Sequence, residues 1–212
     1  MRGLYAIVDV TTLAARGLPV VDVAGAIANA RPAALQLRAK DLAPRETLAL
    51  LRAVHTVCAN AGVPLFANDR PDLALLAGCE GIHVGQDDLP VREVRRIAPD
   101  LLIGVSTHTP AQVDAALADA PDYIAFGPVF PTRSKARPDQ VVGVEALAEV
   151  GRRSPVPVVA IGGIDLARAP EVAAATRLGA AIAALLPSEM SADYLARIGE
   201  RARAMHAALG GA

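Results

Sequence analysis

A chain of 212 residues is long enough for one large domain with a substantial core, a length at which α/β barrels occur as single units. A formal net charge of -1 and an aromatic content of 3%, with no Trp, leave neither a basic footprint nor a stacking platform, so nucleic acid is not an expected partner. The N-terminal MRGLYAIVDV carries too short an apolar run for a signal peptide and no later run approaches a membrane span, so a cytoplasmic protein without a membrane partner is expected.

In chain order, short β-like runs alternate with Ala-rich amphipathic stretches. The strand candidates are Leu4 to Val10, Ala34 to Arg38, Leu65 to Asn68, Gly81 to Val84, Leu101 to Ser106, Tyr123 to Gly127, Val156 to Ile161 and Ala180 to Leu185. Helix candidates lie near 21–30, 44–61, 71–78, 90–98, 110–120, 143–153, 168–178 and 190–208. Pro44, Pro71, Pro90 and Pro110 fit the first turn of four of them, where the missing N–H costs nothing. Strand then helix, eight times over, is the pattern of a single-domain (β/α)8 TIM barrel, with an open doubly wound sheet as the alternative. Cys58 and Cys79 have neither CxxC spacing nor a disulfide framework, and read as buried thiols on helices.

Polar residues gather at the ends of the strand candidates rather than at their starts. In a barrel these ends converge on one mouth, where active sites of the fold sit. Gln36, Arg38 and Lys40 alternate, so they share one face after the second strand, and two cations with an amide suit a phosphate or pyrophosphate. The stretch from Leu65 to Pro90 holds two apolar runs ending in Asn68, Asp69 and Arg70, and in Gln86, Asp87 and Asp88. Adjacent parallel strands lie roughly 5 Å apart, so Asp69 and Asp88 can hold one hard cation such as Mg²⁺, with Asp87 competing and helix capping as the bland alternative.

The later units carry less charge. GVSTHT, residues 104–109, offers Ser106 to a heterocycle or phosphate, Thr109 as a helix cap and His108 as an acid or base, though a lone loop His is more often simply solvated. His83 reads as a satisfied core residue, and His55 and His206 as surface residues without partners. Thr132, Ser134 and Lys135 close a loop that resembles a phosphate-gripping lid, and the glycines of AIGGI expose backbone N–H groups at the usual phosphate position of these barrels.

Taken together, LYAIVD, QLRAKD at 36–41, NDRPDLAL at 68–75, GIHVGQDDLP at 81–90, GVSTHT, YIAFGPVFPTRSK at 123–135 and VVAIGGI at 158–164 resemble the thiamine-phosphate synthase family, in order and at family-like spacing. The resemblance implies a TIM barrel that joins an aminopyrimidine-methyl diphosphate to a thiazole phosphate, releasing pyrophosphate. It implies Asp69 and Asp88 as Mg²⁺ ligands, and Gln36, Arg38, Lys40, Asn68, Ser106 and Lys135 around the pyrimidine and its diphosphate. Arg38, Ser106 and Lys135 are the candidate catalytic residues among these. Thr132, Ser134 and Gly163 fall on the thiazole phosphate side, and a homodimer through the helical shell is the family-like assembly.

The chain departs from the family pattern at Ala39, at Ser134, and after the eighth strand, where GAAIAALLPSEM replaces a run ending in Ile-Ser or Val-Ser. Ser188 there could cap the last helix and offer a displaced anion site. Two other readings stand beside the synthase: the related thiazole tautomerase, resting on His108, and a non-catalytic paralogue that binds thiamine precursors.

Overall fold

The computed structural model describes residues 2–132, 140–189 and 191–211. Eight parallel strands close into a barrel in sequence order: β1 Gly3–Asp9, β2 Ala34–Arg38, β3 Leu65–Asn68, β4 Gly81–Val84, β5 Leu102–Thr107, β6 Tyr123–Phe126, β7 Val158–Ala160 and β8 Leu178–Ala181, with β8 returning to β1. The helices that follow them are α1 Val10–Ala14, α2 Val20–Ala28, α3 Pro44–Ala61, α4 Pro71–Ala77, α5 Val91–Ile97, α6 Pro110–Ala118, α7 Gly143–Arg153, α8 Ala169–Ala175 and α9 Tyr194–Ala208. The expected barrel is therefore the observed one. No helix among the described residues is long and apolar enough to cross a membrane.

Strands buried on both faces need apolar residues at nearly every position, which is why the β runs read as continuous rather than alternating. Their outward side chains, such as Leu4, Ala6, Val8, Leu35 and Leu37, pack under the helices in the larger core. Their inward side chains, Tyr5, Ile7, Ala34, Phe66, Tyr123, Ala125, Val159, Leu178 and Ala180, form a second, smaller core inside the barrel. Three aromatic rings dominate that interior: Tyr5 lies 5.8 Å from Phe66 and 5.7 Å from Tyr123, and Phe66 meets Tyr123 edge-on at 5.6 Å. Such large rings fit inside because two inward positions lack side chains. A Cβ at Gly81 would stand 2.2 Å from the Phe66 ring, and one at Gly104 1.9 Å from Cζ of Tyr123.

Several boundaries differ from expectation for identifiable reasons. The eighth strand begins at Leu178, right after Arg177 in a left-handed conformation, and ends at Ala181; Ala183–Leu185 is a 3₁₀ turn. Apolar character alone does not separate a buried turn from a strand. Pro44, Pro71 and Pro110 do open helices, whereas Pro90 precedes α5 as its N-cap. The short α1 was not expected; Asp9 starts it by accepting the Thr12 N–H.

Three residues away from the mouth also differ. Cys58 lies on α3, but Cys79 follows α4 and is not helical; burial pushes both thiols up to about 12. His55 is not partnerless, since its Nε2 is 3.3 Å from Oε1 of Glu80. His206 is not a surface residue: it is half-buried at the barrel base, where Nδ1 accepts the Leu4 N–H at 3.2 Å.

Gly104→Ala is expected to force the Tyr123 ring aside and to destabilise the protein by about 1–3 kcal/mol or more, as overpacked cores do. Urea unfolding reads this directly; an unchanged midpoint contradicts the packing described.

Candidate active site

Side-chain links run around the C-terminal mouth of the barrel from β1 to β6. At the first, Arg38 at the end of β2 donates through Nη1 to Oδ2 of Asp9 at the end of β1, 2.5 Å away. The other oxygen of Asp9 accepts from the Thr12 hydroxyl at 2.6 Å and from the Thr12 N–H at 2.8 Å. Burial alone would raise this carboxyl, but the hydrogen bonds from Thr12 and the Arg38 guanidinium outweigh it and hold Asp9 below its usual 3.8. Asp9 is thus an anion that orients Arg38. Thr11 makes a parallel link to Asp41 at 2.6 Å.

From β2 the ring continues into the paired carboxylates. Lys40 Nζ lies 3.0 Å from Oδ2 of Asp69, just past β3, and the Asp69 carboxyl in turn meets that of Asp88. Burial first, and then the hydrogen bond with Asp88, push Asp69 above its ordinary value, with Lys40 pulling against them. Asp69 sits at φ 63°, a left-handed conformation that costs a non-glycine residue energy and is concentrated at functional sites. Neither aspartate caps a helix: α4 and α5 begin behind Arg70 and Pro90 without a side-chain cap, and Asp88 instead accepts the Gly85 N–H at 2.7 Å. The capping alternative therefore does not hold.

Two crowded carboxylates on neighbouring strand ends suit a hard divalent cation. Among the described residues no group of three or more His, Cys, Asp or Glu could hold a metal. That donor set fits Mg²⁺ bound by one or two carboxylates with water and substrate phosphates completing its shell, rather than an all-protein cage. Asp87 is exposed on the same turn.

Beneath the mouth a chain of buried hydrogen bonds crosses the barrel. Gln36 Nε2 donates to the Tyr5 hydroxyl at 3.0 Å, Tyr5 and Tyr123 share a bond of 2.7 Å, and Tyr123 Oη lies 2.9 Å from Nδ1 of His83. Nε2 of His83 then meets Oγ of Ser106 at 2.8 Å. His83 is a satisfied core residue, as expected, and it also fixes a site residue. Gln86 binds the Ser106 carbonyl at 2.6 Å, tying the loop after β4 to β5. Asn68, half-buried at the end of β3, pairs in register with His83.

The far side of the mouth is built largely from backbone. Thr109 caps α6 through the Gln112 N–H at 3.2 Å, as expected. His108 is not merely solvated; its Nδ1 is bonded to the Gly127 carbonyl at 2.6 Å, and its N–H donates to Gln112. Beyond β6, the N–H groups of Val129 and Phe130 donate to the carbonyls of Ile161 and Gly162, stitching this loop to the end of β7. The approach requires glycine, because a Cβ at Gly162 or Gly163 would stand 2.5 Å from Pro128 or Pro131. Arg168 locks the corner from outside, donating to the Gly163 carbonyl at 2.7 Å and stacking on Phe130. The Gly163 N–H has no acceptor among the described residues.

Thr132 is half-buried at the end of this loop's described part; Ser134 and Lys135 lie outside the described residues. Ser188 is exposed in a bend and does not cap α9, whose N-cap is Asp193. The structure thus brings together Gln36, Arg38, Lys40, Asn68, Asp69, Asp88 and Ser106, with Gly163 across the mouth. Tyr5 and Tyr123, and the role of Asp9 as the partner of Arg38, were missed. Tyr5, Ile7 and Asp9 alternate on one face of β1, and that was the available signal.

The model of the family described as thiamine monophosphate synthase matches residues 4–186 of this chain. The chain belongs to that family. It is 44% identical over 193 residues to the thiamine-phosphate synthase of Anaeromyxobacter dehalogenans, covering 91% of this chain and 82% of that protein. It is 42% identical to a putative thiamine-phosphate synthase of Geobacter sulfurreducens, over 97% of this chain and 93% of the other. In three dimensions it superposes on the thiamine phosphate pyrophosphorylase of Pyrococcus furiosus with a TM-score of 0.84 at 26% identity, covering 98% and 95% of the two chains.

The family's mouth in this chain depends on Asp9, and its depressed carboxyl links it to pH. Its stabilisation is present above the unfolded value near 3.8 and is lost as pH falls through the lower folded value. Asp9→Asn is expected to lower unfolding free energy at neutral pH by about 1–3 kcal/mol, the cost of losing charged hydrogen bonds, with the deficit shrinking in acid. Urea melts across this range check it; a deficit independent of pH contradicts the assignment.

Proposed function

We propose that this chain catalyses the reaction for which its relatives are named, substituting the diphosphate of an aminopyrimidine-methyl diphosphate by the nitrogen of a thiazole phosphate. The observation that carries the reading is the run Arg38, Lys40, Asp69, Asp88 on one arc of the mouth, with Asp9 and Lys40 tying the arc together. A polyanionic leaving group needs positive charge that is already in place when the bond breaks. Arg38, held by Asp9, and Lys40, held by Asp69, present such charge without needing to reorganise.

In the proposed course the carbon–oxygen bond to the diphosphate breaks, leaving an aminopyrimidine methyl cation that the thiazole nitrogen captures. Mg²⁺ at Asp69 and Asp88 would supply the divalent charge that a departing pyrophosphate requires. No strong general base is called for, since the attacking nitrogen carries a lone pair and no proton. His108 braces Gly127 through Nδ1, and the proposed course asks no proton transfer of it, so the tautomerase reading is not needed to explain the site. Gln36, Asn68 and Ser106 face the pyrimidine in this proposal, with Lys135 on the diphosphate. Thr132, Ser134 and the Gly163 N–H take the thiazole phosphate.

Purified protein with both substrates and Mg²⁺ is expected to release pyrophosphate and form thiamine phosphate, read by chromatography. Release should require all three components. Asp69→Ala and Asp88→Ala are each expected to lower the Mg²⁺-dependent rate by a factor of about 10² or more, the scale on which lost transition-state charge stabilisation acts; full activity in both variants removes the metal assignment. Binding of the diphosphate without turnover in the folded wild type would favour the non-catalytic paralogue. The proposal extends to a cytoplasmic homodimer, and a monomer by light scattering removes that part.

A further inference from the structure

The chain from Gln36 to Ser106 has a direction, and that direction follows from counting protons. Burial raises both Tyr5 and Tyr123 above the ordinary phenol value, so each keeps its one proton and can donate once. The Gln36 amide donates to Tyr5, so the Tyr5 proton must go to Tyr123. Tyr123 has then accepted from Tyr5, and its own proton goes to the remaining neighbour, Nδ1 of His83. An imidazole that accepts at Nδ1 carries its hydrogen at Nε2 and donates it to Oγ of Ser106. The Ser106 hydroxyl, already an acceptor from His83, is left to donate its proton toward the mouth.

We infer that Tyr5, Tyr123 and His83 form a positioning relay that fixes the Ser106 hydroxyl as a hydrogen-bond donor, so that the substrate atom meeting it must be an acceptor. The inference rests on the proposed function for its ligand. An aminopyrimidine offers an unprotonated ring nitrogen beside its amino group, whereas the analogue with oxygen in place of that amino group offers a ring N–H. The relay accepts the first edge and leaves the second with two donors facing each other. A buried polar group rejects a mispaired partner far more strongly than an apolar wall does, because the mismatch leaves both groups unsatisfied.

None of the three relay residues needs to touch the substrate, so their effect is separable from that of Ser106. The opposite polarity is physically distinct: Gln36 would present its carbonyl to Tyr5, every bond would reverse, and His83 would carry its hydrogen on Nδ1.

The test has two arms. In ligand-free wild-type protein with isotope-labelled histidine, nitrogen-edited NMR should show His83, identified by its loss in His83→Gln, with hydrogen on Nε2 and a bare Nδ1; the reverse tautomer overturns the relay. In kinetics, Tyr123→Phe should raise KM for the aminopyrimidine diphosphate more than it lowers kcat. It should also cut the preference over the oxo analogue by about tenfold, one ordinary hydrogen bond's worth of discrimination. Unchanged preference in a folded Tyr123→Phe overturns the proposal. If that variant does not fold, Tyr5→Phe, one bond further from the site, should show the same loss of preference in smaller measure, and no loss there overturns it equally. An inactive wild type would remove the functional reading, and the His83 tautomer alone would then decide the relay.

Discussion

The contact on which this molecule depends is the one between Tyr5 and Tyr123 at the centre of the barrel. Their ring bodies fill the interior together with Phe66, and their hydroxyls, 2.7 Å apart, carry polarity through a region otherwise apolar. Aromatic side chains with polar tips serve both purposes at once: the ring is buried and the tip is paired. Gly104 and Gly81 leave the space that the rings occupy, and Gln36 and His83 complete the pairing. No buried side-chain nitrogen or oxygen among the described residues lacks a partner. Packing and site chemistry therefore share the same side chains.

Above that layer the mouth alternates in sign. Asp9 faces Arg38, Lys40 faces Asp69, and Asp69 faces Asp88. Each cation has an anionic tether, which keeps it in place before a ligand arrives. The last pair is the exception, two acidic groups crowded together, and burial first and then the contact with Asp88 raise the carboxyl of Asp69. A divalent cation with phosphate oxygens would relieve that crowding. This imbalance, rather than any acid–base pair, gives the mouth its chemical character.

Much of this was legible in the sequence because the controlling signals are local. Continuous apolar runs mark β2, β3 and β4 to the residue, and Pro44, Pro71 and Pro110 mark helix starts. Gln36, Arg38, Asp69 and Asp88 stand out because charge and amide groups gather at the ends of apolar runs, although helix capping explained the two aspartates as well from spacing alone. What escaped depends on contacts between distant residues or on backbone geometry. Asp9 and Arg38 are 29 residues apart and Tyr5 and Tyr123 are 118 apart, so neither pairing has a local trace. The turn at Ala183–Leu185 looks like strand because burial, not periodicity, selects its residues. His206 looks like a surface residue on α9, and only the return of that helix to the barrel base gives it Leu4 as a partner.

The central claim is that the inner layer and the carboxylate pair together define one oriented site. A crystal structure with the aminopyrimidine diphosphate and Mn²⁺ in place of Mg²⁺ tests it most directly, since the anomalous signal locates the cation without assumption. The account predicts that cation bound between Asp69 and Asp88 and to diphosphate oxygens, at roughly the 2 Å of a small hard ion, with the ring's bare nitrogen on the Ser106 hydroxyl. A cation bound elsewhere, or a ring edge presenting an N–H to Ser106, would contradict it.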